Sequence, residues 1–292
     1  MTTVREHAVD RDETRQGLQA PTRVLLVAFV VLTLVATNQL FVLARRTATL
    51  FSWTVQPPLS AAFLGASYAA GCVLSVLALR SRSWRTARVP LVTVLVFAVL
   101  TLLATLLHLD RFHFAAPGLV ARAAAWIWLT VYLVVPVALL VVVLRQARAS
   151  RSARADRAPG RPLPRWLVGL LVLQGAVLGV VGVALLVVPG VAARWWPWTL
   201  TPLTARMIAA WLVALAVAAL LSLRADVAGV TVPAVAYVAF ALLQLLALVL
   251  YGEVFAWGSA ASVVYLGALV VSLATGVAGL ALARRSTTRR TR

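Results

Sequence analysis

Long apolar runs separated by short polar breaks make up most of this chain. Eight runs consist mainly of Ala, Val and Leu, and each is close to the roughly 20 residues that an α-helix needs to cross a bilayer. Open strands cannot satisfy their backbone hydrogen bonds in lipid, so each run is predicted to be a membrane-spanning helix. The predicted spans are 24–44, 59–79, 89–109, 122–144, 166–188, 204–223, 230–251 and 260–283.

The polar breaks predict an all-α, polytopic integral membrane protein with eight transmembrane helices. An interval rich in Arg, Pro, Gly and Ser separates the fourth run from the fifth and is predicted to be a linker. The predicted segments are a cytoplasmic tail (1–22), a first four-helix membrane repeat (23–145), the linker (146–165), a second four-helix repeat (166–284) and a basic tail (285–292).

A short sequence pattern occurs in both halves and suggests an internal duplication. Each half carries a Trp-Thr pair, a Pro-Leu-Ser/Thr-Ala segment that opens an apolar run, and later an acid followed by aromatic residues. The matching positions are Trp53 and Trp198, Pro58 and Pro202, Ser60 and Thr204, Asp110 and Glu253, Phe112 and Phe255, and Phe114 and Trp257. Four spans per half is an even number, so two parallel repeats about an axis along the membrane normal are predicted.

Small and hydroxyl residues at the starts of the spans predict local structure. Ser60 and Thr204 are expected to cap helices, since Ser and Thr side chains satisfy free amides at a helix N-terminus. Gly65, together with the Gly175–Gly179 pair at GxxxG spacing, predicts close contact between helices.

Charge is distributed unevenly and predicts the orientation. All 27 basic residues are arginines, against eight acids. If the N-terminus is cytoplasmic, 21 arginines lie on the cytoplasmic side and six on the other. Both termini are therefore predicted to be cytoplasmic. The lysine-free composition is typical of a GC-rich bacterial genome, so the bacterial cytoplasmic membrane is the expected location. Membrane lipids, and not nucleic acid, are the expected partners of the arginines.

The predicted membrane interior contains few side chains that could take part in proton transfer or catalysis. No Asp, Glu or Arg lies near the middle of a span, which argues against an ordinary proton-coupled transporter. The polar interior residues, including Tyr68, Tyr132, Gln174 and Gln244, are interpreted as interhelical hydrogen-bonding groups. A single cysteine, Cys72, excludes a disulfide within the chain.

The predicted outer surface is richer, because it carries two of the eight acids and most of the tryptophans. One interpretation is an aromatic belt with salt bridges. The other is a pocket for an amphiphile, in which arginines hold an anionic group and indole rings cover an apolar body. The candidate substrate-binding residues are Asp110, Glu253, Arg111, Arg122, Arg194, Arg206, His108, His113, Trp53 and Trp198.

A duplicated four-helix bundle with histidines near its outer ends is similar in outline to the heme A synthases, which place histidines in both halves. Here Tyr251 and Ala256 stand opposite His108 and His113, so no heme is predicted. No catalytic motif and no convincing metal-ligand spacing occurs, and no cofactor or metal is predicted.

Three functional classes remain open. The first is binding or transport of an amphiphilic or lipid-like small molecule at the extracytoplasmic face. The second is a structural or assembly subunit that binds protein partners through small-residue helix faces. The third is a membrane-embedded enzyme acting on a lipid-type substrate. Enzymatic activity and the oligomeric state are left undecided.

Overall fold

The computed structural model describes residues 18–81, 84–152, 162–223 and 229–288. These residues form eight long helices and no β-strand. Each helix is long and apolar enough to cross a membrane, as the hydropathy pattern predicts. The helices are α1 (Ala20–Thr37), α2 (Pro58–Ser81), α3 (Trp84–Leu106), α4 (Leu119–Ser152), α5 (Arg165–Val187), α6 (Pro202–Ser222), α7 (Thr231–Tyr251) and α8 (Ala260–Thr288).

Two helix ends depart from the predicted spans. α1 gives way to a π-helical turn, Asn38–Val42, before the chain leaves the bundle. α4 continues to Ser152, past the start of the predicted linker at residue 146, because the Arg, Ala and Gln residues there favour helix. Residues 1–17, 153–161 and 289–292, which include most of the predicted N-terminal tail and the middle of the predicted linker, lie outside the described residues.

The centre of the bundle is formed by α2 and α6. Within their most apolar stretches 67% and 72% of the residues are buried, against 22–33% in α1, α4, α5 and α8. α2 packs against α1 and α7, and α6 packs against α5 and α3. α4 then packs on α3, and α8 on α7. The four outer helices therefore surround a core of α2, α3, α6 and α7.

Glycines set the closest helix contacts. A Cβ added at Gly65 on α2 would lie 2.5 Å from the backbone nitrogen of Phe41, in the π-helical turn that follows α1. On α5, a Cβ at Gly175 would lie 3.3 Å from the side chain of Leu220 on α6, and Gly179 faces the same helix. The predicted packing role of these glycines is confirmed.

Four connections lie together at one end of the bundle, which we call the loop end. Backbone hydrogen bonds join them in pairs: the His113 N–H donates to the Ser52 carbonyl at 2.8 Å, and the Ala256 N–H donates to the Pro197 carbonyl at 2.8 Å. The loop end consists of residues 43–57, 107–118, 188–201 and 252–259.

The helix caps differ from those predicted at Ser60 and Thr204. Thr201 caps α6, and its side-chain oxygen accepts a hydrogen bond from the Thr204 backbone N–H at 3.3 Å. The Ser60 hydroxyl accepts instead from the Trp198 indole N–H at 2.8 Å, across the two halves of the chain. The Ser60 oxygen, which the local sequence predicts to cap α2, is thus occupied by a partner that is distant in the chain.

Candidate functional site

An aromatic cluster underlies the first half of the loop end. Trp53 contacts Phe51, Phe112 and Trp128 with ring centroids 4.7–5.2 Å apart. The Trp128 indole N–H donates to the Thr105 hydroxyl at 3.0 Å. Tilted and edge-on rings at these distances attract each other in addition to the area they bury. The cluster therefore holds the 43–57 loop rigidly against α4.

His113 holds this loop in place. Its Nδ1 lies 2.9 Å from the Phe51 carbonyl oxygen, and its Nε2 lies 3.1 Å from the Thr54 hydroxyl. The carbonyl can only accept, so Nδ1 carries a proton. When the ring carries only this proton, Nε2 accepts from the Thr54 hydroxyl. Both ring nitrogens are occupied by the protein itself.

His108 belongs to a second polar group, at the start of α6. Its Nε2 lies 2.7 Å from Nη1 of Arg206, whose Nε donates to the Leu186 carbonyl oxygen at 3.0 Å. A guanidinium only donates, so the imidazole nitrogen accepts this hydrogen bond and His108 is neutral there. The pair joins the 107–118 loop to α5 and α6.

The electrostatic surroundings of His108 also favour its neutral form. Partial burial lowers the pKa of His108 below its ordinary value of 6.5, and the Arg206 charge lowers it further. Asp110 opposes this effect and Arg111 adds to it. Because the folded-state pKa is depressed, the stability that this group contributes is present above the unfolded-state pKa and is lost as the pH falls through the folded-state pKa.

The two outer acids are paired with different arginines. Asp110 contacts its neighbour Arg111 at 2.9 Å, with both side chains about 70% exposed. Glu253 contacts Arg45, whose guanidinium also lies 5.5 Å from the centre of the Tyr251 ring. Exposed pairs of this kind contribute little to stability. Neither acid lines a cavity within the described part of the chain.

The remaining predicted site residues are divided between surface and core. Arg122 and Arg194 are exposed at the loop end. Trp53 and Trp198 are only 2% and 4% exposed, so neither ring presents a face to the surface. The structure thus distributes the ten predicted residues over several groups, and their ligand-binding role stays a prediction.

A cavity lies elsewhere, between α1, α2, α3 and α4, and Trp211 of α6 forms part of its wall. It has a volume of about 160 Å³ and is almost entirely apolar. By comparison, an engineered apolar cavity of about 150 Å³ holds a benzene molecule. Its lining includes Gln39, Tyr68, Phe97, Trp128, Tyr132 and Trp211.

This cavity opens sideways between α1 and α4. Val35 on α1 and Ile127 on α4 both line it and are 53% and 58% exposed. α1 and α4 touch each other only slightly, whereas each packs well on another helix. An apolar molecule could therefore enter the cavity from the side of the bundle.

The polar side chains among the described residues that line the cavity are few, and two of them, Thr33 and Ser75, donate to carbonyls of their own helices. Near the loop end, Gln39 in the π-helical turn donates from Nε2 to the Leu50 carbonyl oxygen at 2.9 Å. π-Helical turns are frequent at functional sites. Deeper in the bundle, the hydroxyls of Tyr68 and Tyr132 lie 2.6 Å apart. These tyrosines confirm the predicted interhelical hydrogen bonding, as does Gln174, which donates to Ser272 at 2.9 Å.

Sequence reasoning did not identify the cavity. Its lining combines aromatic residues with the small residues Gly71, Ser75, Ala98 and Ala124, which come from three helices. Alternation of large and small residues is ordinary in membrane helices, so no local signal distinguishes a cavity from a close contact. Of the polar residues predicted to lie in the membrane interior, Gln39, Tyr68 and Tyr132 line the cavity.

Two further observations reveal no second site in the described part of the chain. A further cavity, of about 10 Å³, lies between α5, α6, α7 and α8. The described residues contain no group of three or more His, Cys, Asp or Glu side chains that could hold a metal ion. Comparisons of the chain with protein families, curated proteins and solved structures find no match.

Proposed function

We propose that this chain is an eight-span protein of the bacterial cytoplasmic membrane that binds an amphiphilic or lipid-like small molecule. Membrane insertion is supported by the outer surfaces of α1, α4, α5 and α8, which expose many Val and Leu side chains. A water-soluble protein rarely exposes so large an apolar surface, whereas lipid covers it without cost.

The proposed orientation places the loop end outside and the chain termini in the cytoplasm, following the arginine distribution. To test it, Cys72 is replaced by Ala and a single cysteine is introduced at exposed Thr199 or at exposed Arg80. In intact cells a membrane-impermeant maleimide should label Thr199→Cys. Arg80→Cys should react only after permeabilisation. The reverse pattern would contradict the orientation.

A parallel duplication of four helices is also proposed, and the helix contacts support it. The α1–α2 contact corresponds to α5–α6, α2–α7 to α6–α3, and α3–α4 to α7–α8. The paired loop-end hydrogen bonds of His113 and Ala256 fall at equivalent places. A pseudo-two-fold axis between α2 and α6 would generate each of these pairs from the other.

The two halves differ where a ligand would enter. α5 and α8 pack together more closely than their counterparts α1 and α4, and the Gln174–Ser272 hydrogen bond joins them. The α1–α4 pair has only a slight contact, and the 160 Å³ cavity lies behind it. This sideways-opening cavity is the observation that carries the proposed binding function.

The proposed ligand has an apolar body in the cavity and a polar group that meets one of two polar places on the cavity wall, near Gln39 or at the Tyr68–Tyr132 pair. Phe51 and Ser52 of the 43–57 loop line the cavity at the loop end, where His113 holds their carbonyl groups in place. The predicted residues Arg122, Arg194 and Arg206 do not line the cavity and would act on the ligand only through the surface charge.

The two alternatives receive less support. In the scaffold alternative, small-residue faces bind partners, but Gly65, Gly175 and Gly179 are used in contacts within the chain. In the enzyme alternative, an acid and a histidine converge, but Asp110 pairs with Arg111 while His108 bonds Arg206.

A cavity-filling substitution tests the binding function. Ala124→Phe places a ring in the cavity, whereas Ala123→Phe adds the same ring to the neighbouring position, which does not line it. After irradiation with a diazirine-bearing fatty acid, peptides of α1 and α4 from the wild-type chain should carry most of the adducts. Ala124→Phe should remove this preference and Ala123→Phe should keep it. Equal labelling of all four outer helices in the wild-type chain would contradict the proposal.

A further inference from the structure

We propose that the cavity binds a neutral ring carrying a carbonyl oxygen, the chemistry of a membrane quinone, and that the Tyr68–Tyr132 hydroxyl pair donates a hydrogen bond to that oxygen. This inference rests on the proposed binding function and specifies the class of ligand. The hydrogen bonds of the two tyrosines provide the first evidence.

The hydroxyl pair has a donor left over. The two oxygens lie 2.6 Å apart, so one hydroxyl donates to the other. The hydroxyl that accepts still has its own proton, and no other acceptor is within reach in the described chain. Both tyrosines line the cavity and both are 6% exposed. An unused O–H donor in an apolar site is costly, so a ligand that brings an acceptor is favoured over one that does not.

The surrounding side chains suit a flat ring. Trp128 lies 4.5 Å from Tyr132, Tyr68 lies 5.2 Å from Trp211, and Phe97 stacks on Trp211 at 3.9 Å, all measured between ring centroids. These rings line the same cavity. Aromatic faces bind another planar ring in offset or edge-on arrangements. The cavity volume of about 160 Å³ admits such a ring with little room to spare.

Depth in the bundle selects against a glycerolipid headgroup. Tyr68 and Tyr132 lie 10 and 13 residues into α2 and α4 from the loop end, which is roughly 15–20 Å along the helix axis. In a hydrocarbon layer about 30 Å thick this is near the middle. Ester carbonyls and phosphates stay at the interface, and acyl tails have no acceptor. A quinone ring is uncharged and can reach this depth.

Charge supports the same class of ligand. Among the described residues, no Asp, Glu, Lys, Arg or His lines the cavity, so none of them would compensate a charged head. A buried charge without a partner is strongly disfavoured. The occupant at this depth is therefore neutral, and its isoprenoid or alkyl tail would leave through the opening beside Val35 and Ile127.

The test compares two probes of the same shape. 1,4-Naphthoquinone carries two carbonyl oxygens, and 1,4-dimethylnaphthalene carries methyl groups in their place. Binding of each to the purified full-length chain is measured by equilibrium dialysis, with equal detergent on both sides. The variants are Tyr68→Phe/Tyr132→Phe, which removes both hydroxyls and keeps both rings, and Ala124→Phe, with Ala123→Phe as the control.

The double Phe variant should lower naphthoquinone affinity about fivefold, the amount expected for one hydrogen bond, and should leave dimethylnaphthalene affinity unchanged. Unchanged naphthoquinone affinity, or an equal loss for both probes, would overturn the inference. If the double variant does not fold, the wild-type chain decides. After correction for partition into micelles it should prefer the quinone, and equal affinities would overturn the inference.

Failure of the inference can be told apart from failure of the proposed function. If Ala124→Phe abolishes binding of both probes while the double Phe variant changes neither, the cavity binds ligands but the tyrosines do not select a carbonyl. If Ala124→Phe leaves both affinities unchanged, the cavity is not the binding site and the proposed function fails as well.

Discussion

Replacing Gly65 by Ala is expected to destabilise the protein by about 3 kcal/mol, the upper part of the range for overpacking a tight contact. The new methyl group would lie 2.5 Å from the Phe41 backbone nitrogen and 2.8 Å from the Leu40 carbonyl carbon. Backbone atoms cannot rotate away as a side-chain tip can, so α1 and its π-helical turn must move away from α2. The measurement is unfolding of the purified protein by a denaturing detergent, followed by tryptophan fluorescence.

Gly169→Ala provides the matched control. Gly169 also lies within a helix, α5, but a Cβ there would meet no atom within 4 Å. Replacing Gly by Ala in such a position favours helix and should leave stability unchanged or slightly raised. Equal stability of the Gly65 and Gly169 variants would show that α1 does not approach α2 as described. Because Gln39 lies in the same turn, the Gly65 variant should also weaken binding in the cavity.

Trp198→Ala is expected to cost about 3–5 kcal/mol, as for other large aromatic residues truncated in a core. The ring is 4% exposed and contacts Phe63, Phe255 and Tyr265. The same substitution also leaves the buried Ser60 hydroxyl without its indole donor. Since this hydrogen bond joins α2 to the loop that precedes α6, the variant should unfold at markedly lower detergent concentration.

Two further variants separate the contributions to this effect. Trp195→Ala removes an indole from the same loop, but that ring is 79% exposed and its loss should change stability by less than about 0.5 kcal/mol. Trp198→Phe keeps much of the ring contact and removes the hydrogen bond to Ser60, so an intermediate loss is expected. If Trp195→Ala proved as harmful as Trp198→Ala, the assignment of Trp198 to the core would be wrong.

The sequence was most informative about the helices. Hydropathy alone placed eight helices, because the preference of a run of Val, Leu and Ala for lipid is a property of that run. Helix ends were less accurate where local propensity or a turn intervened, as at Ser152 and at Asn38. The small residues of the helix contacts were also recognisable, and Gly65 and Gly175 pack as predicted.

Hydrogen-bonding partners could not be predicted in the same way. Ser60 and Thr204 have the sequence context of helix caps, yet Ser60 accepts from Trp198 and Thr204 donates its amide to Thr201. For Asp110 the pairing is local, with Arg111, but Glu253 pairs with Arg45, which is 208 positions away. The sequence shows which polar groups need hydrogen-bonding or ionic partners, and the fold determines which partners they have.

The sequence by itself determined the helical class, the number of apolar helices and the uneven distribution of charge between their ends. Tertiary structure alone decided that α2 and α6 lie at the centre, that α1 and α4 separate over a cavity, and that Tyr68 meets Tyr132 there. The physical reason is that lipid solvates every apolar helix face about equally well. Which faces meet therefore depends on shape and on hydrogen bonds between residues distant in the chain.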